Sequence, residues 1–409
     1  MTTTQVAADR SPWHGHADAD ERQIWLAVAD EVGTALAEDA LLRDRENSRP
    51  FEAVNLLRTS GLANFLIPEE FGGHGGHWET AFEITRRLAR ADASIAQILG
   101  YHWLNQACVV FYGPDPSKQA QWLSRSAENT WIWSDAFNPV SPDLELAWTG
   151  EHYLLSGLKR FATGASVADI VISAGVPTEG PFAGELIVFA VSSSADGVEH
   201  LNDWDHLGQR SSASGGTRFT NVVIEESAII GADLGEPFST VVTPGVQLLF
   251  GNIYVGIAQG ALAQARELTK ARANSWFLSG VDRYADDPIT HRLFGELVSR
   301  TVAAEALADR LNRAYDEVVA LGAQTTEEDR AEIEIAVAQL KVVSTEVGID
   351  VANRVYEATG ASATRRDIGL DVYWRNIRTH SLHDPVDYKK IEVGANFLNG
   401  TVAPISLYT

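Results

Sequence analysis

Trp131-Ile132-Trp133, followed by Tyr153-Leu154-Leu155, Ile170-Val171-Ile172, Leu186-Ile187-Val188-Phe189 and the run from Phe219 to Ile224, interrupts a chain that otherwise repeats its apolar residues at helical spacing. Short runs rich in β-branched and aromatic side chains fit a pleated, half-buried surface. Residues 129–231 are therefore read as a small β-domain. Within it, Gly157 in Leu154-Leu155-Ser156-Gly157-Leu158-Lys159 is expected to turn the chain. Asn138-Pro139-Val140-Ser141-Pro142-Asp143 carries too much proline for a central strand and reads as a surface loop, so 137–143 is a lid candidate or a plain turn.

On the N-terminal side, Ile24, Leu26, Val28, Val32 and Leu36, then Val54, Leu56, Leu57 and Leu62, recur at helical intervals. Residues 21–128 are predicted to form a helical domain, broken by the glycine-rich loop Ile67-Pro68-Glu69-Glu70-Phe71-Gly72-Gly73-His74-Gly75-Gly76. On the C-terminal side, 244–400 are predicted to be a helical bundle with long helices at Leu248–Trp276, Pro288–Leu321 and Thr326–Glu357. Gly256, Gly260, Ala261 and Ala265 are small enough for close helix contacts. The fold class is α+β, mainly α.

Composition excludes several functions. The 409 residues carry 55 acidic and 32 basic side chains, a net charge of −23, which repels nucleic acid. The single cysteine, Cys108, cannot form an internal disulfide, and no thiol cluster exists to hold zinc or iron–sulfur. The first twenty residues lack a signal-peptide core and no uninterrupted apolar run reaches about 18 residues, so a cytoplasmic protein without membrane partner is expected. The glycines at 72, 73, 75 and 76 form neither GxGxxG nor a P-loop, and no GxSxG elbow occurs.

His380 and His383, in Arg378-Thr379-His380-Ser381-Leu382-His383-Asp384-Pro385, would share a helical face if that segment is helical. Three readings compete: a metal site, which lacks an obvious third ligand; a capping or core pair; and an acid/base pair, since histidine titrates near neutrality. The tract Gly157 to Ser166 mixes small residues with hydroxyls and would admit a flat ring, or is merely a strand and its turn. Trp204 would wall a planar cofactor or fill the β-core. These residues alone do not name a reaction.

From about residue 25 to 400 the chain resembles the acyl-CoA dehydrogenase fold: an N-terminal helical domain, a middle β-barrel-like domain and a C-terminal four-helix bundle. Leu99-Gly100-Tyr101-His102, Gly157-Leu158-Lys159-Arg160-Phe161-Ala162-Thr163-Gly164, Trp204-Asp205-His206-Leu207-Gly208-Gln209-Arg210 and Tyr373-Trp374-Arg375-Asn376-Ile377-Arg378-Thr379-His380-Ser381-Leu382-His383-Asp384-Pro385 are similar to its flavin-dependent monooxygenase branch, that of dibenzothiophene monooxygenases and sulfur-acquisition oxidoreductases.

The resemblance implies the oxygenase component of a two-component system. Reduced FMN, with FAD as the alternative, would come from a separate flavin reductase and meet dioxygen to form a C4a-(hydro)peroxide that oxygenates a small substrate at sulfur. It implies no metal, and a homotetramer in which a neighbouring bundle completes the flavin site. His383 would be the proton donor near the flavin, His380 its partner, Thr163 the hydroxyl facing the ring, and Tyr101 a pocket residue. Phe161, Ala162 and Trp204 would hold the ring.

The alternatives are amine N-hydroxylation, acyl-CoA dehydrogenation and a non-catalytic member. Dehydrogenation needs a carboxylate base, yet Gly245 to Ala265 contains no acidic residue and the C-terminal site reads His-Ser-Leu-His-Asp. Against the branch's pattern, Asp135 replaces an asparagine and Gln97 a histidine. An ionised Asp135 would favour a basic substrate. For the flavin phosphate, Ser362 occupies an arginine position and Arg272 lies two residues before the expected place, which implies weak flavin affinity.

Overall fold

The computed structural model describes residues 11–138, 144–232 and 235–406. The lid candidate therefore lies outside the described residues except for Phe137 and Asn138.

Among the described residues, six α-helices come first: α1 (Ala19–Ala37), α2 (Ala40–Glu46), α3 (Phe51–Thr59), α4 (Trp78–Ala89), α5 (Ala93–Phe111) and α6 (Pro116–Asn129). Asp92 starts α5 by accepting from the N–H groups of Ser94 and Ile95, and its carboxylate is paired with Arg43 at 2.9 Å. All 19 residues of α5 are buried, because the helix runs between α4, the first strand and the C-terminal bundle.

The middle region is two four-stranded sheets. One has the order β1 (Trp133–Asp135), β4 (Ile170–Gly175), β5 (Ile187–Ser192), β8 (Ile229–Ala232), with β1 and β4 parallel. The other has the order β2 (Glu145–Trp148), β3 (Tyr153–Lys159), β7 (Thr217–Ile224), β6 (Val198–His200), antiparallel throughout. Leu155, Phe189, Phe219 and Ile224 belong to the core they share. Gly157 does not turn the chain: it lies inside β3, where the register against β7 shifts, and its φ of +141° absorbs the irregularity.

The C-terminal region comprises α7 (Pro237–Thr240), α8 (Val242–Ala271), α9 (Pro288–Ala320), α10 (Glu327–Thr359), α11 (Asp371–His380) and α12 (Val386–Asn399). The first long helix begins before Leu248 and ends before Trp276. Pro244 falls in its opening turn, where a missing N–H costs no helical bond. Asp287 before Pro288 caps α9, and Thr326 with Asp329 forms a capping box on α10.

By length and apolarity Pro237–Ala271 would suit a bilayer, but 94% of its most apolar window is buried within the protein. It is the central helix of the bundle. Its small residues act as the spacing suggests: a Cβ at Gly256 would overlap the carbonyl of Arg86, and one at Gly260 that of Arg90. Gly256→Ala is expected to cost about 1–3 kcal/mol through overpacking of α8 on α4, read as a lowered urea midpoint. An unchanged midpoint would mean that the two helices separate freely.

Candidate active site

A cavity of about 850 Å³ opens where α5, β1 and the end of α11 meet. Its floor is one face of α5. Gln97, Tyr101 and Asn105 are four residues apart, so they stack along that face at about 6 Å per step. Each step meets a polar side chain from another element. Gln97 Nε2 donates to Thr163 Oγ1 (3.1 Å), Tyr101 OH lies 3.5 Å from His383 Nε2, and Asn105 Nδ2 donates to Asp135 Oδ2 (3.1 Å).

At the first step, Thr163 Oγ1 also accepts from Ser214 Oγ at 3.2 Å. With both lone pairs engaged, its hydroxyl proton remains to donate into the cavity. Beside it, Gln97 Oε1 is buried without a hydrogen-bond partner among the described residues. Trp204 also lines the cavity, anchored by Nε1 donating to Gln209 O (2.8 Å), and His206 stacks on it at 3.7 Å. Phe161, held at φ +62° and 55% exposed, presents its edge to both rings. Ala162 is fully buried and contributes an N–H to Gly215 O rather than cavity wall.

At the second step, α11 ends at His380, and His383 follows in a turn whose N–H donates to His380 O (3.0 Å). The two histidines thus do not share a helix, although both rings border the cavity. His383 Nδ1 lies 3.3 Å from Asp384 Oδ1, which accepts from Lys341 Nζ at 2.9 Å. Burial opposes ionisation of Asp384, but the hydrogen bond from His383 and the Lys341 charge outweigh it and hold the carboxyl below the usual range. Lys341 is completely buried, 4.5 Å from the centre of the Phe250 ring.

His380 Nδ1 lies 2.8 Å from Tyr254 OH, while its Nε2 is buried without a hydrogen-bond partner among the described residues. Burial, then the proximity of His383 and Lys341, push its pKa well below the ordinary histidine value, so the ring is neutral. Among the described residues no cluster of three His, Cys, Asp or Glu side chains gathers to hold a metal.

At the third step, Asp135 ends β1 beside Ile172 of β4, in a cavity that Leu104, Cys108 and Val246 also line. Burial pushes its pKa up to about 6 against the hydrogen bonds from Asn105 and the Phe137 N–H.

Arg272 and Ser362 are not on this cavity. Arg272 follows the far end of α8, where it donates to Thr359 O (3.4 Å) and sits 3.9 Å from the Tyr284 ring centre. Ser362 follows in the short helical turn Ala361–Thr364. The long C-terminal motif also has scaffolding members. Arg375 joins Asp44 (2.6 and 3.0 Å) to Leu207 O (2.9 Å), and Asn376 Oδ1 accepts from the Gln209 N–H (2.8 Å), fixing the Trp204 segment to α11. Sequence reasoning missed Asn105, Ser214, Tyr254 and Lys341; only Asn105 carried a signal, its i+4 spacing from Tyr101.

Comparison with known proteins matches residues 18–130 to the acyl-CoA dehydrogenase N-terminal domain and residues 248–388 to the acyl-CoA dehydrogenase C-terminal domain. The chain belongs to the acyl-CoA dehydrogenase family. Within this family it is 34% identical over 386 residues to the "Probable FMNH2-dependent monooxygenase SfnC" of Pseudomonas putida, covering 94% of this chain and 97% of that one. It is 34% identical over 390 residues to the dibenzothiophene monooxygenase of Rhodococcus erythropolis, covering 92% and 93%. The solved complex of TdsC from Paenibacillus sp. A11-2 with FMN and indole superposes with a TM-score of 0.89 at 32% identity, covering 94% and 99%.

The residues of this cavity fit a flavin ring. Thr163 has a hydroxyl proton to donate, Gln97 Oε1 and His380 Nε2 are buried polar atoms without partners among the described residues, and Trp204 with Phe161 offers aromatic surface.

Proposed function

We propose that the protein is the oxygenase component of a two-component, FMNH2-dependent monooxygenase that oxygenates a small organic substrate at sulfur. The observation that carries this reading is the His383–Asp384–Lys341 chain, which aims an imidazole at an otherwise mostly apolar cavity large enough for a ring and a substrate together. Bound reduced FMN supplies the two electrons with which one atom of dioxygen is transferred to sulfur and the other leaves as water. Asp384 accepts from His383 Nδ1–H and so directs Nε2 toward Tyr101 and the cavity. There Nε2 delivers a proton to the departing oxygen and recovers it afterwards. Apolar walls keep bulk water from the reacting atoms.

The relatives' names support FMN and oxygen transfer. Dehydrogenation is disfavoured because Asp384 is already committed to Lys341 and α8 carries no acidic residue between Gly245 and Ala265. Electrons come from a separate flavin reductase. Because Arg272 and Ser362 face away from the cavity of their own chain, we assign them to the cofactor phosphate of a neighbouring subunit in a homotetramer.

The test is anaerobic mixing with reduced FMN followed by oxygenated buffer. The return of oxidised-flavin absorbance is expected to be markedly slower than for free flavin, and ethylthiophene is expected to gain one atom from isotope-labelled dioxygen. Oxidation as fast as that of free flavin, together with bleaching of oxidised flavin by an acyl-CoA, would overturn the assignment.

A further inference from the structure

Asp135 is a carboxyl on the wall of the cavity, and among the described residues it has no cationic partner. Its contacts are Asn105 Nδ2 at 3.1 Å and the Phe137 N–H, and no ion pair to it occurs among the described residues. Ile172 is its neighbour on the paired strand β4, and Leu104 from α5 and Val246 from α8 supply apolar wall to the same cavity. Cys108 also faces it from α5, and burial together with the Asp135 charge keeps that thiol protonated. Arg378, the cationic side chain of the cavity wall, belongs to α11 and forms no ion pair with Asp135 among the described residues.

A carboxylate removed from water is costly unless a cation balances it, and two neutral donors solvate the charge without cancelling it. Several carboxyls of this fold follow that rule at comparable depth, whereas Asp316 is held by the Trp78 and Glu79 N–H groups at 2.8 and 3.0 Å with no ion pair among the described residues. Asp92 meets Arg43 at 2.9 Å, Asp384 meets Lys341 at 2.9 Å, and Glu334 meets Lys389 at 2.7 Å. Asp135 departs from it as Asp316 does, but of the two it is Asp135 that lines the cavity and so faces space that a ligand can occupy.

We infer that Asp135 is the specificity-determining group of the cavity and that the substrate carries a protonated amine, which it pairs with Asp135 about one helical turn from the atom presented to His383. The inference names the substrate class of the proposed oxygenase and rests on that reading for which atom is oxygenated. The charged end is anchored by Asp135 and Asn105, and the apolar body lies along Leu104 and Val246. The oxidisable atom reaches the step of α5 held by Tyr101 and His383. Discrimination against the uncharged analogue follows, because that analogue leaves the carboxylate desolvated and unpaired.

The test uses flavin-free protein, so that binding is read apart from oxygen chemistry. By calorimetry, thienylethylamine is expected to bind about tenfold or more tightly than ethylthiophene. N-acetylation of the amine should remove that advantage. Asp135→Asn, which keeps the shape of the side chain, should remove it too, with thienylethylamine losing affinity and ethylthiophene losing none. Equal affinities in the unaltered protein, or an advantage that survives in Asp135→Asn, would overturn the inference. Should Asp135→Asn not fold, the N-acetyl comparison on the unaltered protein decides by the same criterion. Failure of the reading beneath it is read separately: an intact amine preference with no oxygen transfer to either thiophene would remove the oxygenase and leave the cation site.

Discussion

Alanine in place of His383 is expected to lower the yield of oxygenated product by roughly 10²–10⁴-fold, the usual contribution of a positioned acid or base. Hydrogen peroxide should rise to account for the dioxygen still consumed. The ring lies at the cavity with its Nε2 3.5 Å from Tyr101 OH, and it is 36% exposed, so its removal takes little packing with it. Thermal stability should therefore barely move, which separates this effect from unfolding. Consumption of reduced FMN should continue, because the two electrons still have dioxygen as acceptor. Product and peroxide measured in one reaction check the expectation, and an unchanged ratio between them would remove His383 from the proton transfer.

Asp384→Ala is expected to act on the fold as well as on the reaction. It would strand the Lys341 ammonium, which has no exposed surface and donates to Asp384 Oδ1 at 2.9 Å. Breaking a buried pair from one side costs about 3–5 kcal/mol. Urea titration should show a loss of that order, and product yield should fall because His383 Nδ1 loses the acceptor that orients it. The double variant Lys341→Met, Asp384→Leu should recover much of the stability, since no charge is left buried, but none of the yield. A single variant as stable as the parent would mean that water reaches the ammonium and that the pair does not organise this end of the cavity.

Much of the architecture is legible in the sequence because its signals are local. The strand runs at Ile170 and Ile187, the periodic helices, and the small residues Gly256 and Gly260 each announce themselves within a few positions. Where reading failed, a distant partner decided. Gly157 reads as a turn until β7 is placed beside β3 and the shifted register shows why a glycine is needed in a strand. His380 and His383 read as one helical face, whereas the helix stops between them. Lys341 reads as an ordinary lysine of α10, and only the fold brings it to Asp384, 43 positions later. Arg272 and Ser362, which the resemblance implies for the flavin phosphate, do not line this cavity of their own chain.

The stacking of Gln97, Tyr101 and Asn105 on successive turns of one buried helix also bears on how such a protein diversifies. Since each turn answers to a different partner, exchange at positions 105 and 135 can change what is accepted while the turns that meet Thr163 and His383 stay as they are. An inserted residue in α5 has the opposite consequence, because it rotates all later positions by about 100° and separates every pairing beyond it at once. Lineages of this chain should therefore drift in substrate through point exchange at the far turn, and tolerate almost no change in the length of the helix.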